Sequence, residues 1–196
     1  MDALVAIDVA ILPPRSISDY AVRLSAALPP AESQGLLLND TNRPHITLTQ
    51  QVVAAAEIPA VLTSVTAVMD GRAPVSLRVS GPGRGASSVW MRIEPAKELT
   101  DLHRALMDAL RPFEQPGATA AAFSGGDPRP GDLKWVAEFR RRSSYSRYTP
   151  HITLGHAYQA PHVDPVAFTA ATVALCRLGR FCTCRELLDS WTLGSR

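Results

Sequence analysis

Two segments of this chain carry the same polar pair. His45 and Thr47 lie in Arg-Pro-His-Ile-Thr-Leu-Thr-Gln (43–50), and His151 and Thr153 lie in Thr-Pro-His-Ile-Thr-Leu-Gly-His (149–156). An imidazole titrates near pH 6.5, so two of them can serve as base and acid near neutral pH. Two hydroxyls can each donate a hydrogen bond to a non-bridging phosphate oxygen. Such a set suits in-line displacement at phosphorus. One histidine deprotonates the attacking oxygen, the other protonates the leaving one, and no metal is required. A single His-x-Thr is ordinarily a satisfied pair on the outer face of a strand. Packing explains a repeated Ile and Leu, but it has no need of a repeated His and Thr.

These residues need strands to hold them. Each copy contains a proline directly before its histidine, which disfavours helix at the residue before it and favours extended chain. Side chains alternate along a strand, so His45 and Thr47 share one face while Ile46 and Leu48 anchor the other. The same holds for His151 and Thr153, with Ile152 and Leu154 behind them. Gly155 continues the polar face of the second copy without a side chain, where the first copy has Thr49. A regular strand turns His156 to the opposite face from His151, which leaves it out of the reactive set.

The apolar run Leu4–Ile11, closed by Pro13-Pro14, reads as a buried strand. Ser16 or Ser18 then caps a helix with Ile17, Tyr20, Ala21, Leu24 and Leu28 on one side. A second helix is expected over Glu57–Met69, with Pro59 in its first turn and Gly71 as its stop. Val75, Leu77 and Val79 alternate with polar residues, as do Val89, Met91 and Ile93. With Gly81–Ser88 between them, they read as a hairpin with a flexible loop. Lys97–Phe113 is the clearest helix, carrying Leu99, Leu102, Leu106, Leu110 and Phe113 on one side. Residues 114–132 read as loop, the boundary between two halves of one domain spanning 1–196. Leu133–Phe139 reads as a strand, followed by a basic turn, the second motif, and strands at Thr172–Leu178 and Leu187–Leu193 around Gly179.

The chain has 196 residues, 46% hydrophobic and 19% charged, enough apolar material for a sizeable core. A formal net charge of only +2 excludes the strongly basic face of a protein that wraps long duplex nucleic acid. It leaves room for a small anion or a short oligonucleotide end. Three cysteines clustered at Cys176, Cys182 and Cys184 are not a disulfide framework and point to a reducing compartment. Cys182-x-Cys184 lacks a second Cys pair or a close His pair, so no metal is expected. The acids Asp2 and Asp8 make the N-terminal segment a poor signal peptide. No apolar run approaches the roughly 20 residues that span a bilayer. A cytoplasmic monomer without membrane contact is expected.

The paired His-x-Thr motifs resemble the two-histidine phosphoesterase superfamily, which includes bacterial 2′-5′ RNA ligase-like proteins and 2′,3′-cyclic phosphodiesterases. Phe139–Ala157 resembles the longer bacterial branch of that group. The resemblance implies an α+β, bilobal fold: two pseudo-symmetric antiparallel sheets around a central cleft, with helices outside. It also implies that His45, Thr47, His151 and Thr153 form the catalytic set and that no cofactor is used. The expected activity is hydrolysis of 2′,3′-cyclic phosphates or 2′-5′-linked nucleotides and RNA ends. One alternative is the reverse reaction, ligation to a 5′-hydroxyl. Another is a nucleotide- or RNA-end-binding module without turnover.

Arg140, Arg141, Arg142 and Arg147, interleaved with Tyr145 and Tyr148, form a basic, aromatic stretch just before the second motif. Arg147 and Tyr148 there, and Arg43 before the first motif, are candidates to hold phosphate or stack a base. His103 falls beside an apolar helical stripe and reads as a satisfied interior residue. His162 reads as loop surface. Gly81–Gly85 lacks the Gly-Lys-Ser/Thr ending of a phosphate loop, and there is no serine-hydrolase elbow.

Overall fold

A computed structural model describes residues 3–194. In chain order the elements are β1 (Leu4–Leu12), α1 (Arg15–Ala26), β2 (Ile46–Ala54), α2 (Ile58–Met69), β3 (Val75–Arg84), β4 (Ser88–Ile93) and α3 (Lys97–Ala109). They continue with α4 (Pro130–Ser143), β5 (His151–His156), β6 (Val166–Ala170), β7 (Thr172–Leu178) and β8 (Cys184–Thr192).

The strands form two four-stranded antiparallel sheets, ordered β2-β1-β7-β8 and β5-β4-β3-β6. Each sheet takes two strands from before residue 114 and two from after residue 132, so the chain halves interleave. Each motif strand, β2 or β5, is an edge of its own sheet. The architecture is the α+β arrangement that the motif resemblance implies.

One apolar cluster joins the two sheets, with Ile7, Val9 and Ile11 of the first meeting Val89, Met91 and Ile93 of the second. Stripes from α1 (Ile17, Ala21), α2 (Val61, Val65) and α3 (Leu99, Leu102, Leu106) cover it. Ile46, Leu48, Ile152 and Leu154 are all 0% exposed. Each such side chain contributes about 1.5–3 kcal/mol on burial, which pins the motif strands from behind. The other face of the first sheet is covered by α4, where Val136 and Phe123 pack on Ala6, Val52 and Leu178. Strand β1 is therefore buried on both sides. Among the described residues, no helix is long and apolar enough to cross a membrane.

The structure departs from several of the sequence expectations. Leu133–Phe139 is not a strand but the middle of α4. Leu133 and Trp135 mimic period-two alternation, whereas the residues that are buried, Asp132, Val136 and Phe139, follow helical spacing. Pro130 sits in its first turn and Asp132 accepts from the Arg129 backbone N–H at 2.9 Å, a helix start that the preceding glycines and prolines obscured. The basic turn is consequently the last turn of α4, at Arg140–Arg142. Gly81–Arg84 is strand, not loop: β3 runs to Arg84, and the loop shrinks to Gly85–Ser87. A side chain at Gly83 would collide with Trp90, its Cβ falling 1.9 Å from the indole nitrogen. Neither serine caps α1, whose N-cap is Pro14; Ser18 instead donates to the Pro13 carbonyl. Strand β6 and the first residues of β8, from Cys184, lie outside the expected strands.

Candidate active site

Both motif strands carry the same irregularity. Along β2, Thr47 pairs with Ala10 and Thr49 with Val9, leaving Leu48 as an extra residue. Along β5, Thr153 pairs with Trp90 and Gly155 with Val89, leaving Leu154 extra. A bulge of this kind reverses the alternation that follows it. It restores Gln50, opposite Asp8, and His156, opposite Ser88, to the side of the His-x-Thr residues. The expectation that His156 turns away and Gly155 continues the polar face is thus overturned. A side chain at Gly155 would instead meet Leu28 at 2.8 Å in the core. The bulge leaves the Leu48 carbonyl to accept from His103 Nδ1–H at 2.6 Å, while His103 Nε2 accepts from the Tyr145 backbone N–H at 2.8 Å. His103 is buried and fully used, as expected of an interior histidine, and exposed His162 pairs with Asp164.

His45, Thr47, His151 and Thr153 come together on the wall of one cleft of about 580 Å³. Gln50 and His156 line it too, with Trp90 and Trp135. The two motif histidines are held alike. Nδ1 lies 2.8 Å from the carbonyl two residues upstream, that of Arg43 for His45 and of Thr149 for His151. A carbonyl only accepts, so Nδ1 carries the proton and Nε2 is the unprotonated nitrogen, which in His45 lies 3.6 Å from Asp8 Oδ2. Burial lowers the pKa of His45, its Arg43 hydrogen bond opposing. Burial likewise lowers His151, and a charge on nearby His45 adds to that effect against the Thr149 hydrogen bond. The His151 ring lies 5.2 Å from that of Trp90.

The threonines differ. Thr47 donates to Asp8 Oδ2 at 2.8 Å, and Gln50 Nε2 donates to the same oxygen at 2.7 Å. Gln50 Oε1 in turn accepts from Trp135 Nε1 at 3.1 Å. The Thr153 hydroxyl has no protein partner among the described residues. Tyr148, stacked on His103 with ring centroids 3.9 Å apart, donates its hydroxyl to the Thr47 carbonyl at 2.9 Å. Burial pushes its phenol far up, and the ring stands in the cleft wall with its hydroxyl committed. Arg147 lines the cleft. Arg43 does not; its guanidinium donates to the Arg185 carbonyl at 3.1 Å. Arg129 and Arg142 join Arg147 on the wall, and among the described residues no carboxylate lines it. Arg129 lies over the Phe181 ring at 4.1 Å, paired to Asp132 and within 3.3 Å of His156 Nε2.

The model of the 2′-5′ RNA ligase superfamily matches residues 13–177, most of the chain and both motifs. The chain belongs to that superfamily. No curated protein matches it. Among solved structures it is similar to E. coli LigT complexed with 3′-AMP, at 20% identity and TM-score 0.64, covering 98% of this chain and 99% of that one. LigT complexed with NADP+ gives 19% and 0.64 over the same shares. The Thermus thermophilus protein TT0787 gives 16% and 0.62, over 96% and 97%. At these identities the likeness is one of fold.

Within this superfamily fold, sequence reasoning missed Asp8, Gln50, His156, Trp135 and Arg129. For Gln50 and His156 a signal existed: each is a polar residue five places after its motif histidine. For Asp8 the signal was an acid within a Val/Ile strand. Burial pushes its carboxyl up to about 8, against the lowering effect of its Gln50 and Thr47 hydrogen bonds. The native protein then keeps a proton that an ordinary carboxyl at 3.8 has released. A folded value above the unfolded one contributes stability that is complete below pH 3.8 and lost as pH rises through about 8. In chelator-containing buffer, wild-type stability should therefore fall relative to Asp8→Asn by about 1.4 kcal/mol per pH unit across that window. Denaturant titrations at several pH values measure it. Parallel trends for the two proteins would mean that Asp8 is ionised in the fold.

Proposed function

We propose that the protein is a metal-independent phosphoesterase that opens a 2′,3′-cyclic phosphate or a 2′-5′ linkage at a nucleotide or RNA end. The observation that carries this reading is the matching anchor of His45 and His151. Each is locked through Nδ1–H, which leaves Nε2 unprotonated, in one cleft lined by three arginines, with Asp8 Oδ2 3.6 Å from His45 Nε2.

In this reading the phosphodiester anion lies between the imidazoles, its non-bridging oxygens held by the Thr47 and Thr153 hydroxyls. One neutral Nε2 takes a proton from water as the water oxygen bonds to phosphorus. The other, protonated, hands its proton to the ribose oxygen as the P–O bond breaks. Burial favours the neutral form of both rings; the bound anion favours the protonated form of one. Arg129, Arg142 and Arg147 offer charge for further phosphates, and Trp90 and Trp135 offer ring faces for a base. The nucleotides bound to E. coli LigT, 3′-AMP and NADP+, make nucleotides the first class to test.

The test is a panel of 2′,3′-cyclic mononucleotides, RNAs ending in a cyclic phosphate, and 2′-5′ dinucleotides, with chelator present throughout. At least one should be converted to a phosphomonoester product at an undiminished rate in chelator. Binding without turnover on the whole panel would leave a nucleotide-binding module. The superfamily match keeps the reverse reaction in play. Supplying a 5′-hydroxyl RNA with the cyclic-phosphate RNA, and analysing for a 2′-5′ junction, separates ligation from hydrolysis.

A further inference from the structure

We propose that Asp8, His45 and Cys184 form a three-ligand site for Zn²⁺, adjoining the cleft at His45, whose occupation shuts the phosphoesterase off. One donor atom of each residue lies within 4.8 Å of the other two. His45 Nε2 stands 3.6 Å from Asp8 Oδ2. With bonds of about 2.0–2.3 Å, a tetrahedral Zn²⁺ separates its ligand atoms by roughly 3.3–3.8 Å, so that pair is within range, and binding draws the three donors together with Thr47 or Gln50 yielding Oδ2.

The three residues sit on ordered backbone. Asp8 is in the middle of β1, Cys184 opens β8, and His45 directly precedes β2. The Arg43 N–H donates to the Cys184 carbonyl at 3.4 Å, tying the His45 segment to β8. The outer shell of a metal site is also in place. His45 Nδ1–H is held by a carbonyl, the arrangement that orients a ligating imidazole. Asp8 is 0% exposed; Thr47 and Gln50 hold its Oδ2, while Oδ1 has no partner.

Binding releases the protons of Asp8 and Cys184 to solvent, and the resulting carboxylate and thiolate with a neutral imidazole balance the dication, so the filled site is neutral in a place where uncompensated charge is costly. The mix of sulfur and nitrogen ligands selects Zn²⁺ over Mg²⁺ or Ca²⁺. The bland alternative is a buried thiol packed among Ala10, Ala174 and Cys176. That accounts for the cysteine but not for an acid with an unpartnered oxygen beside it. The inhibitory consequence rests on the phosphoesterase reading: an Nε2 bound to metal cannot exchange a proton with substrate.

The experiment is a Co²⁺ titration of the full chain, reduced and stripped of metal, followed by Zn²⁺ competition. Stoichiometric binding with a thiolate-to-Co²⁺ charge-transfer band in the near ultraviolet, displaced by Zn²⁺, is expected. Cys182→Ser should keep the band and Cys184→Ser should lose it. Zn²⁺ affinity of Cys184→Ser should drop by at least about 100-fold, beyond what loss of an outer-shell partner costs. No stoichiometric binding, binding without the thiolate band, or a band that follows Cys182 would overturn the site. If Cys184→Ser fails to fold, a missing band in wild type or its loss in Cys182→Ser still overturns the site, and Cys184→Ala repeats the variant. If the substrate panel yields turnover, Zn²⁺ should suppress it in wild type far more than in Cys184→Ser, each relative to its own metal-free rate. Equal suppression would overturn the inhibitory role. The spectrum does not depend on turnover, so failure of the phosphoesterase reading leaves the metal test standing.

Discussion

His45→Ala and His151→Ala should each lower turnover on a 2′,3′-cyclic phosphate by about 10²–10⁴, with unfolding midpoints close to wild type. The size follows from the role. A positioned proton donor or acceptor is replaced by water, and nothing else in the cleft takes over, since His156 Nε2 faces Arg129 at 3.3 Å. The fold should tolerate both changes, because the strands are anchored by Ile46, Leu48, Ile152 and Leu154 rather than by the imidazoles. The double variant should lose far less than the product of the single losses, because base and acid act in one transition state. Single-turnover rates at saturating substrate measure this. Near wild-type turnover in either variant would remove that histidine from the chemistry.

The reactive face was legible because five identical residues recur, and packing needs only some of them. What surrounds that face was legible in part. The hairpin strands and the first three helices follow apolar periodicity, but not to their ends: α3 stops at Ala109 rather than Phe113, and β3 continues to Arg84. The fourth helix was not legible, because Leu133 and Trp135 alternate like a strand while the spacing that decides, Asp132, Val136, Phe139, includes a buried acid. That error hid a whole wall of the cleft: Trp135, Phe139 and Arg142 all stand on α4. The bulges at Leu48 and Leu154 were beyond a reading that assumes strict alternation, and with them went Gln50 and His156. Asp8 and Cys184 illustrate a different limit. Their approach to His45 depends on β1 lying beside both β2 and β7, with β8 next in the sheet, a pairing over long separations that no local pattern encodes.

Thr153→Val should cost more turnover than Thr47→Val, while Thr47→Val should cost more stability. The two hydroxyls occupy matching places on matching strands but have different partners. The Thr153 hydroxyl, unpartnered by protein among the described residues, is free to donate to a non-bridging oxygen. Losing such a donor to developing charge costs roughly 2.7–4 kcal/mol, about 10²–10³ in rate. Thr47 has its proton on Asp8 Oδ2 at 2.8 Å and must release that partner before it can serve a phosphate, so its net catalytic contribution is smaller. Removing it leaves a fully buried carboxyl with one donor fewer, at a cost of about 1 kcal/mol in unfolding. Valine preserves the branched shape that strands favour, so neither change should disturb the sheets. Serine at either position should stay close to wild type in both respects. Turnover and urea unfolding of the four variants give two rankings that are expected to cross. If Thr47→Val instead matches Thr153→Val in lost turnover and leaves the unfolding midpoint unmoved, the Thr47 hydroxyl is aimed at the phosphate and not at Asp8.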